Sequence, residues 1–401
     1  METVEIFKYL SIPVVAGFVG WFTNWVAVKA MFYPLEFIGI PPFIGWQGIV
    51  PSKARKMAGI SVDTSLATIG SVSEVMKEID MSLLSQHAMK VVEPDIEMHV
   101  EEAMLEEKPV LWDNMPQAMK KQIYARLREE LPGIIDNIMN EIEERVETLL
   151  DLRGMIQNHL TENKELLVRI FLEVGAKEFK FIVNSGFYFG AIFGVIQMIV
   201  WYLYPQWWIL PLFGLLVGFA TNVIALKIIF SPLNPVKVGP FTVQGLFLKR
   251  QHEVSDTYSS IVTNEILTIR NMISEMLNGP KSDHTKAIIR KHFRRIVDES
   301  AGMRKPLVQS SLGPTSFANL KERASSTALE MVDGTFDDPA FNRDRSQAIQ
   351  KIMQARMREL SPEGFQNMLR PAFQEDEWKL TLAGAVLGLM AGIAQLAFIF
   401  T

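Results

Sequence analysis

Eight residues of one short box recur 198 positions further along the chain. Gly20, Thr23, Asn24, Ala27, Lys29, Phe32, Pro34 and Leu35 return as Gly218, Thr221, Asn222, Ala225, Lys227, Phe230, Pro232 and Leu233. Pro42-Phe43 returns in step as Pro240-Phe241, and Gln47-Gly48 returns as Gln244-Gly245 after a one-residue gap. Gly186, Gly190, Gly194 and Gln197 return as Gly384, Gly388, Gly392 and Gln395 at the original spacing. Self-similarity at both ends of the period implies one unit of about 200 residues used twice.

These boxes lie in or beside apolar stretches. A helix that crosses a bilayer needs ~20 mostly apolar residues. Tyr9–Tyr33, Gly186–Tyr204, Gln206–Phe230 and Leu380–Phe400 qualify, and Lys29 and Lys227 are the charges inside them. Trp201, Tyr202, Tyr204, Trp207 and Trp208 crowd the turn between the second and third stretches, as at a hairpin tip in the headgroup layer. Met1 to Lys8 holds Glu2, Glu5 and one lysine, without the basic start of a signal peptide, so the first span is expected to be retained.

Basic residues near the spans give an expected orientation. Lys53, Arg55, Lys56, Lys177 and Lys180 flank one side in the first half, and Lys249, Arg250, Arg370 and Lys379 in the second. The other side offers Lys8. The positive-inside rule then places both large loops in the cytoplasm and both termini outside. With two spans per repeat, both repeats enter the membrane in the same sense, which implies a pseudo-two-fold axis along the membrane normal.

The expected fold is an all-α membrane protein with four transmembrane helices in two parallel internal repeats, each enclosing a helical cytoplasmic domain. Residues 1–36 carry the first span, and 37–180 an interfacial loop and cytoplasmic domain A. Residues 181–234 form the hairpin of spans two and three, 235–378 repeat the loop with domain B, and 379–401 hold the last span. Gly186, Gly190 and Gly194 fall every fourth residue on one helix, as do Gly384, Gly388 and Gly392. Gly20 and Gly218 continue such stripes on the first and third spans. Small residues in register let helix backbones approach closely in lipid.

The Gly-x-x-Thr-Asn-x-x-Ala-x-Lys box, the Pro-Phe…Gln-Gly loop and the run Pro371 to Glu377 before a glycine-striped helix resemble a bacterial membrane-protein family. It is the family of domain of unknown function 445, which overlaps uncharacterised protein family 0754. The resemblance covers both ends of each unit and implies a multi-pass protein of the bacterial inner (cytoplasmic) membrane. It supplies no activity or catalytic residues.

The stretches between spans read as helical. Ile134, Ile138, Ile142, Val146 and Leu150 form an every-fourth-residue stripe, with Pro132-Gly133 expected to mark a helix start. A bundle core is the favoured reading, and a groove for acyl chains, helped by 21 methionines, is the sharper one. Glu93, Asp95, Glu97, Glu101, Glu102, Glu106 and Glu107 make one half locally acidic. Lys286, Arg290, Lys291, Arg294 and Arg295 make a basic amphipathic helix in the other. A solvated face, anionic headgroups, or docking between the two stretches each fit.

Candidate sites follow from polar residues in apolar surroundings. Thr23, Asn24, Thr221 and Asn222 are expected to face the bundle interior, as interhelical hydrogen bonds or as a ligand site. Gln197 and Gln395 would form a second layer nearer the outer side. Lys29 and Lys227 lie within snorkelling reach of the headgroups, the alternative being a cation site for a lipid phosphate or an anionic solute. Gln47, Gly48, Gln244 and Gly245 mark loops expected at the interface, with an ordinary turn favoured over a re-entrant gate. Glu375, Asp376 and Glu377 complement the dipole of the last helix.

No cysteine is present, which excludes disulfides and thiolate chemistry. The six histidines show no ligand spacing, and the zinc-protease, phosphate-loop and serine-hydrolase motifs are missing. The expectation is a non-enzymatic protein without metal or cofactor, with membrane lipids as partners. A net charge of −5 and no binding motif argue against nucleic acid. Homo-oligomerisation and protein partners stay open. Lipid handling or envelope maintenance is the leading functional expectation. The alternatives are a small-solute or ion transporter with a site between the repeats, and a scaffold recruiting cytoplasmic proteins.

Overall fold

A computed structural model of the chain describes residues 3–40, 44–301, 312–374 and 377–397. The chain forms two compact units. One comprises Met1–Thr68, Gln157–Ser259 and Gln354–Thr401, and the other Ile69–Ile156 and Ser260–Met353. Each unit draws on both halves of the sequence. The cuts fall inside the stretches 37–180 and 235–378 that the sequence reads as single domains.

The first unit is built on four long apolar helices: α1 (Thr3–Phe32), α11 (Ala176–Leu203), α12 (Ile209–Phe230) and α20 (Glu377–Gln395). All four are long and apolar enough to cross a bilayer. They match the four sequence spans, with α11 beginning ten residues before Gly186. Its 28 residues extend ~42 Å at 1.5 Å per residue, so its charged start around Lys177 and Lys180 projects past a ~30 Å hydrocarbon layer. The expected end of the last span at Phe400 lies outside the described residues.

Glycine sets how these helices pair. A Cβ on Gly20 would sit 2.3 Å from the Gly186 carbonyl oxygen, and one on Gly190 would sit 2.6 Å from that of Ala16. On Gly194 it would sit 2.6 Å from the Cα of Pro13. As numbers fall on α1 they rise on α11, so the pair is antiparallel. The pair α12 and α20 repeats this with Gly218 against Gly384, Gly214 against Gly388, and Gly392 against Leu210. Backbones this close gain dispersion contacts that lipid cannot supply. At the α11–α12 turn, Ile12, Trp201, Ile209 and Leu210 form a buried apolar cluster with Tyr9 and Phe213 against it.

Short β-hairpins follow α1 and α12, a departure from the all-α expectation. β1 (Ile38–Ile40) pairs antiparallel with β2 (Ile44–Trp46), and β3 (Val236–Val238) with β4 (Phe241–Val243). Gly39, at φ +142°, adopts a backbone that a side chain would strain.

The second unit is a helical bundle. Its core helices are α5 (Met81–Val92), α8 (Gln117–Leu149), α15 (Ile269–Asn278), α16 (Ser282–Ala301) and α17 (Pro314–Thr335). Side-chain caps start several helices: Ser71 accepts from the Glu74 amide, Asp80 from Ser82 and Thr268 from Asn271. Ile134, Ile138, Ile142, Val146 and Leu150 are all buried, so the stripe faces a protein core. Pro132-Gly133 does not start that helix. The helix runs through both residues, which lie on its exposed side. An interior proline costs ~3 kcal/mol, and burial of Leu131, Ile134, Ile135 and Ile138 around it offsets that.

The two halves meet inside this unit through charged pairs. Lys291 and His292 reach Glu141 of α8 at 2.9 and 2.8 Å. Glu106 pairs with Arg323, and Glu107 accepts from Asn319 at 3.1 Å. The acidic stretch therefore pairs with α17 and, through Glu97–Arg128, with α8, while the basic helix pairs with α8 and, through Arg294–Glu322, with α17.

Candidate membrane-interface site

The two hairpins hang from the ends of α1 and α12 by the same bonds. Gln47 Nε2 donates to the Leu35 carbonyl at 2.7 Å, and Gln244 Nε2 to the Leu233 carbonyl at 3.1 Å. The amide of Gly48 donates to Pro34 O at 2.9 Å, and that of Gly245 to Pro232 O at 3.0 Å. A Cβ on Gly48 would lie 2.6 Å from the Phe32 carbonyl carbon, and one on Gly245 would lie 2.7 Å from Ile229 O. Each Gln-Gly pair thus has a local duty. The glycine lets the returning strand cross the helix end, and the glutamine satisfies a loop carbonyl that the helix leaves unpaired.

The strands so held carry apolar side chains outward. Ile38, Ile40, Ile44 and Trp46 are exposed, Ile40 and Ile44 to 74%, and Phe241 is exposed to 73%. The indole of Trp46 donates to the Ala30 carbonyl at 3.2 Å, which ties β2 to the last turn of the first span. Clustered apolar exposure of this kind marks a contact surface for lipid or protein. Pro41, Pro42 and Phe43 lie outside the described residues.

An ion-pair chain forms around Arg250, which follows the second hairpin in sequence. Arg250 donates to the buried Glu178 carboxylate and to Glu253 at 3.0 and 3.1 Å, and Lys177 donates to Glu253 at 2.7 Å. Hydrogen bonds from Arg250 and Lys177 hold the Glu253 carboxyl down at about 2. Burial works against the Arg250 charge, but Glu253 and Glu178 outweigh it and raise its pKa.

Within the spans, Asn24 and Asn222 are fully buried. Asn24 Nδ2 donates to Ile182 O at 2.8 Å, and Asn222 Nδ2 to Leu380 O at 3.0 Å. Thr23 and Thr221 donate to carbonyls of their own helices, Gly20 and Gly218. Lys29 and Lys227 are exposed on the outer face. Five residues turn a helix by roughly 140° beyond a full circle, so Lys29 and Asn24 point apart. The Lys29 ammonium lies 5.9 and 5.5 Å from the Trp25 and Tyr33 rings, a cation–π arrangement directed along the span. The structure does not join the lysines to the asparagines. It does place Thr23 with Gln197 and Gln395 around a cavity of ≈ 20 Å³ on the bundle axis, with Gly20, Gly218, Gly388 and Gly392 in its wall. The period-198 pairing of Gln197 with Gln395 was the available signal for that convergence.

Four apolar helices packed through glycine, with apolar hairpins at their ends, define a helical integral membrane protein. Among known proteins, the chain is similar to two UPF0754 membrane proteins of Staphylococcus epidermidis. Each is 26% identical over 96 residues, which make up 23% of this chain and 25% of the relative. The match thus spans about a quarter of each relative's length. No protein-family model and no solved structure matches the chain.

Proposed function

We propose that this is a non-enzymatic protein of the bacterial cytoplasmic membrane that handles lipid or maintains the envelope, and that its hairpins are where it engages lipid. The carrying observation is the exposure of Ile38, Ile40, Ile44 and Phe241 on strands fixed to the ends of two spans. Apolar side chains held beside a bilayer gain ~25 cal/mol per Å² by entering it. The resemblance to domain of unknown function 445 supports the same location. Matching bonds 198 residues apart support a duplicated two-span unit with a pseudo-two-fold axis. The basic flanks support cytoplasmic large loops and outer termini.

A transporter reading draws on the buried asparagines, but both amides donate to neighbouring backbones, which is a packing role. Native mass spectrometry from lipid nanodiscs tests the lipid reading. A defined phospholipid should stay bound to the wild type. It should be lost when Ile38, Ile40, Ile44 and Phe241 are all changed to Ser. An unchanged lipid complement in that variant would overturn the proposal.

A further inference from the structure

A small cavity lies among the four spans, its mainly apolar wall carrying the polar side chains of Thr23, Gln197 and Gln395. Its wall comes from all four spans: Ala16, Gly20 and Thr23 of α1, Gln197 of α11, Gly214 and Gly218 of α12, and Gly388, Gly392 and Gln395 of α20. Thr23, Gln197 and Gln395 are each more than nine-tenths buried, at 2, 2 and 7% exposure. Gln395 Nε2 has no protein partner. Thr23 spends its proton on Gly20 O, which leaves its oxygen as an acceptor. An amide donor left bare in a hydrocarbon-embedded core costs several kcal/mol. A hydroxyl oxygen and a second amide complete a mixed donor and acceptor set with no charged group.

We propose that this chamber binds a single ordered water, bonded by Gln395, Gln197 and Thr23, which joins the pair α1 and α11 to the pair α12 and α20. The size fits. A cavity needs ≳ 10–15 Å³ to admit one water, and this one measures ≈ 20 Å³. The chemistry fits as well, because a water can both accept from an amide and donate to a hydroxyl oxygen. A bare cation would find no compensating charge here. The smooth glycine walls let the helices close to this distance, while Thr23 and the two glutamines set polar groups into an otherwise apolar wall. The site therefore differs in purpose from the asparagines, which bond each pair internally.

X-ray radiolytic footprinting of the intact protein in nanodiscs tests this, because hydroxyl radicals formed from a bound water oxidise the side chains beside it. Val19 and Val217 line the chamber, whereas Ile12 and Leu210 lie in the fully buried apolar cluster at the α11–α12 turn. The valines should be oxidised several-fold faster than Ile12 and Leu210. Gln395→Met should remove that excess, and Thr23→Val should reduce it while preserving side-chain volume. Equal rates at the four positions in the wild type would overturn the proposal whether or not either variant folds. An excess that survives Gln395→Met in a folded protein would do the same.

Discussion

The side-chain amide of Asn24 bonds the main-chain carbonyl of Ile182 at 2.8 Å, crossing from the first span to the second. Asn222 and Leu380 make the corresponding bond 198 residues later, at 3.0 Å. Interhelical side-chain bonds in membranes average ~0.6 kcal/mol and reach ~1.7 kcal/mol. Asn24→Leu and Asn222→Leu should each lower stability within that range. Steric-trap unfolding of each variant in bicelles measures it. If the asparagines serve packing, the folded double variant keeps its cellular function, and a folded but inactive double variant would favour transport.

Glycine contacts predict a sharper contrast. A Cβ on Gly186 falls 2.4 Å from Gly20 O, and one on Gly384 falls 2.3 Å from Asn222 Nδ2. Neither α1 nor α12 can yield without separating its helix pair, so Gly186→Ala and Gly384→Ala should cost at least ~1–3 kcal/mol, the usual cost of overpacking. Gly133 has no neighbour within 4 Å of its Cβ position. Gly133→Ala should instead gain about 0.5–1 kcal/mol by favouring helix. Unfolding free energies of the three variants decide it, and equal losses would refute the packing account.

Glu275 is raised above its ordinary carboxyl pKa of 4.5, first by burial and second by the nearby Asp151 charge. Its Oε1 is buried without a hydrogen-bond partner. The folded state holds that proton more tightly than the unfolded state, so stability is lost as pH rises from 4.5 through the raised value. Glu275→Gln should therefore be more stable than wild type at pH 7, with the gap closing below pH 4.5. Denaturant midpoints at both pH values check this, and a gap that does not change with pH would exclude the assignment.

The four spans were legible because twenty apolar residues in succession leave a helix few alternatives, and the glycine stripes identified their contact faces. The Thr-Asn pairs were legible as interior for the same reason. Other features depended on distant partners. Pro132 reads as a break in local sequence, and only burial across the bundle keeps that helix continuous. The hairpins are three-residue strands with exposed side chains, too short for alternation to reveal. The Lys291–Glu141 pair spans 150 residues, and no local pattern selects Glu141 over the more acidic stretch before it. Gln197 and Gln395 were visible as a repeated pair, but their shared cavity with Thr23 needs the packing of all four spans.

The cysteine-free chain permits a direct measurement of whether the hairpins lie in lipid. Single cysteines at Ile40, Ile44 and Phe241 would carry spin labels in nanodiscs, with Glu143 as an aqueous reference. Collision with oxygen and with a water-soluble nickel chelate would then be measured by power saturation. Hairpins in lipid should show high oxygen and low nickel accessibility at the three positions, and the reverse should hold at Glu143. Nickel accessibility at the hairpins equal to that at Glu143 would contradict that placement.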